Sequence, residues 1–225
     1  ALKAFLLPEA HSRLDHALGL LGDDGDQGLL RRALEASGKA FEAAFDLANA
    51  VEGYQRLIDT GARLDNTGMR VSGTNKLAFL KGLFLGQRDS ALDDLAVAER
   101  LATDTTDGAG LVEACIAQCY LRTGNAEFDQ VEHYMVKVAQ LGEDMGLSEP
   151  TLFGMAHFAN ALTYMTRFDE ALEQAEKTLA NAEEHGQLKY QAEMLTFAIP
   201  TCHLRNGDLE STLIALERGM AIAAQ

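Results

Sequence analysis

Three cysteines and six histidines are the side chains that first invite a chemical reading. Cys115 and Cys119 stand four apart, so on a helix they share one face. His157 and Cys202 fall at comparable places further along. A zinc site would need these thiolates and imidazoles to converge tetrahedrally. Neighbouring helix axes lie about 8–10 Å apart, too far for side chains this short to meet across separate helices. Cysteine as a small buried apolar group is the commoner role, and no metal is expected. Asp23, Asp24 and Asp26 around Gly25 miss the spacing of a calcium loop and lack its later Glu, so they fit a solvated turn with capping carboxylates. None of the histidines (His11, His16, His133, His157, His185, His203) has an acid and a nucleophile at a suggestive spacing. Ser37-Gly38-Lys39 lacks the first glycine of a phosphate-binding loop, and Asp107-Gly108-Ala109-Gly110 is no strand-to-helix turn. Neither Gly-x-Ser-x-Gly nor His-Glu-x-x-His occurs. The expectation is a chain without catalytic residues and without a cofactor.

Composition narrows the classes further. The 225 residues are 47% hydrophobic and 24% charged, which fits a globular chain and not a disordered one. Lys plus Arg number 19 against 34 Asp plus Glu, a net charge of −15. A generic nucleic-acid binder needs a basic face to displace counterions, and an anionic membrane repels this charge. The odd number of cysteines in a chain of this size gives no disulfide framework, so a reducing, cytoplasmic setting is expected. No apolar run approaches the roughly 18–20 residues of a membrane span, and the longest, Leu77 to Gly86, is broken by Lys81. No signal peptide is expected from these residues, and the start at Ala1 suggests that the true beginning is missing.

What must position any site is a repeat. Phe168-Asp169-Glu170-Ala171-Leu172, followed by Ala175 and Leu179, echoes Arg88-Asp89-Ser90-Ala91-Leu92 with Leu95 and Ala98, and Leu47-Ala48-Asn49-Ala50-Val51 with Tyr54. The aligned small positions are Ala10, Ala50, Ala91, Val131, Ala171 and Thr212, spaced by 40 or 41 residues throughout. Each unit reads as two helices. Pairs such as Gly38 with Phe41, Ala117 with Tyr120, and Ala159 with Leu162 mark the first helix. Small residues let the partner approach, and Gly86, Gly124-Asn125 and Gly207-Asp208 mark turns. The pattern predicts helices over 8–21, 29–45, 47–64, 74–86, 89–103, 110–123, 127–145, 150–166, 168–185, 188–205 and 208–223. Nothing alternates with period two for long enough to predict a strand. Pro200 is expected to kink its helix or end its regular hydrogen bonding. Phe79, Phe84, Phe153, Phe158, Met155 and Met194 fall at helical spacing, as core residues do, with an aromatic ligand box as the alternative.

The pattern of Ala117, Tyr120 and Gly124, and of Phe168-Asp169-Glu170-Ala171-Leu172, resembles the tetratricopeptide repeat. The period of about 40 exceeds the usual 34 of that repeat, and the proline at the repeat end is absent. The longer period resembles the C-terminal repeats of LuxR-class ATP-binding transcription activators, and those of nucleotide cyclases and kinases linked to an ATPase module. Arg31 to Ala102 is most similar to these. The resemblance implies an all-α, right-handed α-solenoid of stacked antiparallel helix pairs. Residues 1–225 are expected to form one solenoid. The apolar final segment, with Leu213, Ile214, Leu216, Met220 and Ile222, is unlike a polar capping helix and suggests a fragment of a longer multidomain protein.

The charge divides between the two helix sets. Residues 29–44, 75–88, 111–124, 151–167 and 188–205 together carry +6, whereas 46–65, 89–104, 126–146, 169–185 and 208–223 carry −17. In the resembled family the first helices line the groove. On that register Lys39, Lys76, Leu80, Gln118, Arg122, Asn160, Tyr164, Thr201 and Arg205 would face it. Such amide, hydroxyl and guanidinium groups with an aromatic suit an extended peptide or a carboxylate. The chain therefore reads as a non-catalytic scaffold or signal-input module of a larger cytoplasmic regulatory protein. Its expected partner is a protein or peptide segment, acidic on this charge division, or a neighbouring domain of the same protein, with no nucleic acid or membrane. The alternative is a small-molecule inducer-binding sensor.

Overall fold

The computed structural model describes residues 7–22 and 25–224, with the side chains of 7, 8, 10 and 11 outside that description. Among the described residues there are eleven helices and no strand. They are α1 (Leu7–Leu21), α2 (Gln27–Ala43), α3 (Leu47–Arg63), α4 (Thr67–Phe84), α5 (Arg88–Asp104), α6 (Gly108–Thr123), α7 (Phe128–Asp144), α8 (Ser148–Tyr164), α9 (Phe168–Glu184), α10 and α11 (Leu209–Ala223). The stretch called α10 is α-helical over Leu188–Glu193, π-helical over Met194–Ala198, and α-helical again over Ile199–Arg205. None of the helices is long and apolar enough to cross a membrane.

One kind of turn joins nearly all of them. A residue in the left-handed region sits in each connection, whether glycine (Gly22, Gly86, Gly146, Gly186, Gly207) or not (Phe45, Asp65, Thr106, Ala126, Thr166). The next amide donates back to a carbonyl near the helix end: Asp46 to Phe41 at 3.0 Å, Asn66 to Gly61 at 2.8 Å, Asp107 to Ala102 at 2.8 Å, Leu147 to Gly142 at 2.8 Å. This is the hydrogen bond of a Schellman ending. The donating residue then opens the next helix. Asp46, Asn66, Asp107 and Asp208 each accept the amide three residues on through their side chains. Closing one helix and capping the next with a single residue keeps the connections short and the partners antiparallel. The expected Gly124-Asn125 turn is corrected by one or two positions, because Ala126 carries the left-handed angle. The hydrogen-bond pattern fixes the conformation there, and the residue type follows at a cost of about 1–2 kcal/mol.

The predicted start of α4 at residue 74 is also corrected, to Thr67. Gly68 and Gly73 weaken local helix propensity, but the Asn66 cap and the burial of Met69 and Val71 outweigh it. In α10, Pro200 lacks the N–H of a regular turn, and the π-helical stretch precedes it, with Ile199 N–H reaching back to Met194. The helix absorbs there the residue that lengthens its repeat to 41.

The chain forms two compact units, residues 1–117 and 118–225. In the first, Leu30, Leu34, Leu57 and Met69 form one core cluster, and Ala50, Tyr54, Leu77 and Leu80 another. Leu80, expected in the groove, is thus core. A Cβ at Gly38 would sit 2.4 Å from the Tyr54 ring, so only glycine fits between α2 and α3. In the second, Leu162, Ala171 and Cys202 cluster, and a Cβ at Gly154 would meet Ala139 N and Met135 O at 2.6 Å. Ala50, Ala91, Val131, Ala171 and Thr212 are all buried, as the repeat requires; the side chain of Ala10 lies outside the described residues. Phe153 and Met194 are core, as expected, but Phe84 is exposed and meets Phe45 edge-on at 6.2 Å. On α11, Leu213, Ile214 and Met220 are exposed. The fold is all-α, of stacked antiparallel helix pairs.

Candidate functional site

In the first unit, polar side chains of α2, α4 and α6 bind one another. Arg31 Nε donates to Glu35 (2.7 Å), Ser72 Oγ donates to the same carboxylate (2.6 Å), and Lys76 Nζ donates to Ser72 Oγ (2.8 Å) while pairing with Glu113. Burial raises the Glu35 pKa, but the bonds from Arg31 and Ser72 and the charges of Lys76 and Arg31 outweigh it, holding the carboxyl below its usual range. The Lys76 side chain is 10% exposed and built into this row. Lys39 is exposed on the same helix set.

In the second unit, Gln118 is buried and accepts from Arg122 Nε at 3.1 Å. Arg122 turns to Glu127 (2.8 Å) and lies 5.6 Å from the Tyr134 ring centroid. Thr201 is half-buried, and Arg205, exposed, lies over the Phe168 ring at 5.8 Å. Of the eight expected site residues, the structure brings Asn160 and Tyr164 to one cavity.

That cavity has a volume of about 200 Å³. Tyr120, His157, Asn160 and Tyr164 line it from α6 and α8, with Val131 and Met135 of α7 behind. Two groups of rings flank it. Phe153 stacks on His157 at 3.9 Å, and Tyr120 meets both, at 5.8 and 5.6 Å. Tyr164 stacks on Phe128 at 5.8 Å and meets Phe197 of α10 at 5.6 Å. Asn160 Nδ2 donates to Glu193 Oε1 at 2.8 Å. A carboxylate can only accept, so this bond fixes the amide orientation. Asn160 Oδ1 is then left buried with no partner.

Burial lowers the His157 pKa, against the opposing pull of Glu193 and of its bond to the Phe153 carbonyl, while Lys189 lowers it further. The ring is therefore neutral at pH 7. Nδ1 lies 3.1 Å from the Phe153 carbonyl, which can only accept, so Nδ1 carries the proton and Nε2 keeps a lone pair. Burial and the Glu193 charge both raise the Tyr120 pKa, keeping it a phenol.

Tyr120, His157, Glu193 and Phe197 escaped the sequence reading as site residues, yet a signal was there. Tyr120 and Asn160 stand 40 apart, as do His157 and Phe197, and Phe153 and Glu193. They are successive copies of the same first-helix positions. The three cysteines are buried thiols, and burial raises the pKa of Cys202. Among the described residues no three His, Cys, Asp or Glu side chains gather where a metal could be held.

No family model and no curated protein matches the chain. Solved structures do. BtubC (BKLC) from P. vanneervenii is similar over 100% of this chain and 92% of its own, at a TM-score of 0.82 and 13% identity. A putative kinesin light chain from Podosopora anserina with nearly identical TPR-like repeats is similar over 86% of this chain and 94% of its own, at a TM-score of 0.67 and 18% identity. A substituted form of that same protein gives 0.68 at the same identity and coverage. At these identities the likeness concerns the fold, which is tetratricopeptide-like.

Proposed function

We propose that the chain is a non-catalytic scaffold that holds an extended segment of a partner protein against the first helices of its second unit. The observation that carries this is the meeting of two ring groups, one of Phe153, His157 and Tyr120 and one of Phe128, Tyr164 and Phe197, at one cavity beside the unmet acceptor of Asn160. Tyr164, 53% exposed, and Tyr120, 39% exposed, present aromatic surface that the core does not use. Aromatic groups with a few fixed polar atoms are the composition of recognition surfaces. The likeness in fold to a protein with TPR-like repeats agrees with a protein-interaction scaffold.

An inducer-binding sensor is the second reading. Small-molecule pockets run to about 300–1,000 Å³, so a cavity of about 200 Å³ suits one side chain better. A preference for acidic segments would rest on Lys39 and Arg205, since Lys76 and Arg122 are engaged by Glu113 and Glu127. Placement within a larger cytoplasmic regulator, or capture of a neighbouring domain, is supported by the 40-residue period and its likeness to repeats of LuxR-class activators and of ATPase-linked cyclases and kinases.

The experiment is selection of a phage-displayed peptide library on the intact chain, with enriched peptides re-tested on Tyr164→Leu. The proposal expects binders that lose roughly tenfold or more in affinity on the variant. No enrichment, or binders indifferent to Tyr164, would refute it.

A further inference from the structure

We propose that the cavity between α6 and α8 is a socket for a single cationic side chain, Lys or Arg, carried by the partner segment. This deepens the scaffold reading and rests on it for the segment that brings the cation.

The cavity offers acceptors and π-faces, and of its three hydroxyls Thr123 already donates to the Cys119 carbonyl, while those of Tyr120 and Tyr164 can accept as well as donate. Asn160 Oδ1 is buried and lacks a donor. Its orientation is held by the bond to Glu193, so it cannot turn its own N–H₂ group toward the cavity instead. The His157 ring, protonated on Nδ1 by its bond to Phe153, offers Nε2 as a second acceptor. Tyr120, Tyr164 and His157 supply ring faces, which attract a cation through their quadrupoles. Glu193 supplies a full negative charge one hydrogen bond behind Asn160.

The floor matches the rest of such a side chain. Val131 and Met135 give an apolar wall that suits an alkyl stem. Of the nearby cations, Lys189 acts on His157 through its charge but has no hydrogen bond to the cavity, and the others are engaged. Lys189 Nζ lies 4.7 Å from the centroid of the Tyr190 ring, Arg122 pairs with Glu127, and Arg205 lies over Phe168. An anionic side chain would instead face Glu193, an orphan carbonyl and the negative faces of the rings. The net charge of −15 would also steer a basic segment toward the chain.

The test is an aromatic-detected NMR titration of the intact chain with three probes: the Nα-acetyl methylamides of lysine, norleucine and glutamate. The lysine probe should shift the Tyr120, His157 and Tyr164 rings at millimolar concentration and bind roughly tenfold tighter than norleucine, with glutamate the weakest. Glu193→Gln keeps an acceptor for Asn160 and removes the charge, so it should weaken lysine several-fold and leave norleucine unchanged. Tyr164→Leu, at an exposed position, should weaken it as well. Equal shifts by lysine and norleucine, or lysine binding unaffected by Glu193→Gln, would overturn the socket. Peptides selected on this face without Lys or Arg would overturn the socket and leave the scaffold standing. Lysine binding with no peptide ever selected would overturn the scaffold alone.

Discussion

The first helices of the two units solve one structural problem in opposite ways. In the first unit, Ser72 and Lys76 of α4 and Glu113 of α6 form one bonded row with Glu35. The repeat-equivalent positions of the second unit hold Phe153, His157, Glu193 and Phe197. Phe153 stacks on His157 and Phe197 meets Tyr164, but Asn160 Oδ1 stays without a donor. The first unit also buries unmet acceptors, Asn75 Oδ1 and Asp107 Oδ2, but Ser72, Lys76 and Glu113 in its row are paired, and that row presents no comparable set of exposed rings. A row with an unmet buried acceptor and exposed rings gains from a ligand, because an unsatisfied buried group costs about 1–3 kcal/mol until it is met. Site chemistry in a repeat fold is thus decided by which polar groups the neighbouring repeat completes.

The largest expected effect is on stability and falls where backbones nearly touch. Gly38→Ala and Gly154→Ala should each cost about 1–3 kcal/mol by overpacking, measured by urea denaturation, since neither added Cβ has room. Wild-type midpoints in both variants would show that the helix pairs can part freely. Next comes the contrast itself. Lys76→Met leaves Glu113 without its cation and should cost about 1–2 kcal/mol, a figure reduced from that of a fully buried pair because Glu113 is partly exposed. It should leave peptide affinity unchanged. Tyr164→Leu should do the reverse, with stability within about 0.5 kcal/mol of wild type and binding lost.

Acid should separate the rows as well. The folded pKa of His157 is depressed, so the unfolded chain takes up that proton first. Its contribution is intact above the unfolded value of about 6.5 and is lost as pH falls toward the folded pKa. Glu35 is depressed too, so its contribution is intact above about 4.3 and is lost only below that. Stability of the wild type should therefore decline from near pH 6.5 downward, and His157→Gln should abolish that first limb while keeping the second. A single limb in the wild type, confined to the acid range where Glu35 titrates, would contradict the burial of a neutral His157. The smallest effect concerns turns. Thr106→Gly and Thr166→Gly should raise stability by about 0.5–1 kcal/mol, because a β-branched residue is strained at φ of 54 and 61°. A loss on both would contradict the strain.

The fold was legible because its signal repeats. The small residues that lie at close contacts, from Ala50 to Thr212, stand at one period, and packing enforces that spacing whatever the rest of the sequence does. Turn chemistry was less legible. Five connections place a non-glycine residue in the left-handed region, where hydrogen bonding rather than residue type sets the backbone. The site was half legible. Asn160 and Tyr164 follow from the register, but the charge of a helix says nothing of which neighbour neutralises it. Lys76 and Arg122 count as basic groove residues in the sequence, yet Glu113 lies 37 residues from Lys76 and reaches it only through the stacking of α4 and α6. Phe153 and Phe84 both fall at core spacing, yet Phe153 is buried and Phe84 exposed, so spacing alone does not separate a packed ring from a presented one.

The central claim is that the second unit's ring-lined row is the receiving surface and the first unit's row is closed. The most direct measurement is a side-chain chemical-shift map of the intact chain with the tightest peptide from the selection. The account predicts the largest shifts at Tyr120, His157, Asn160 and Tyr164, with Arg31, Lys76 and their carboxylates unmoved. Shifts centred on Arg31, Ser72 and Lys76, with the rings of the second unit silent, would contradict it.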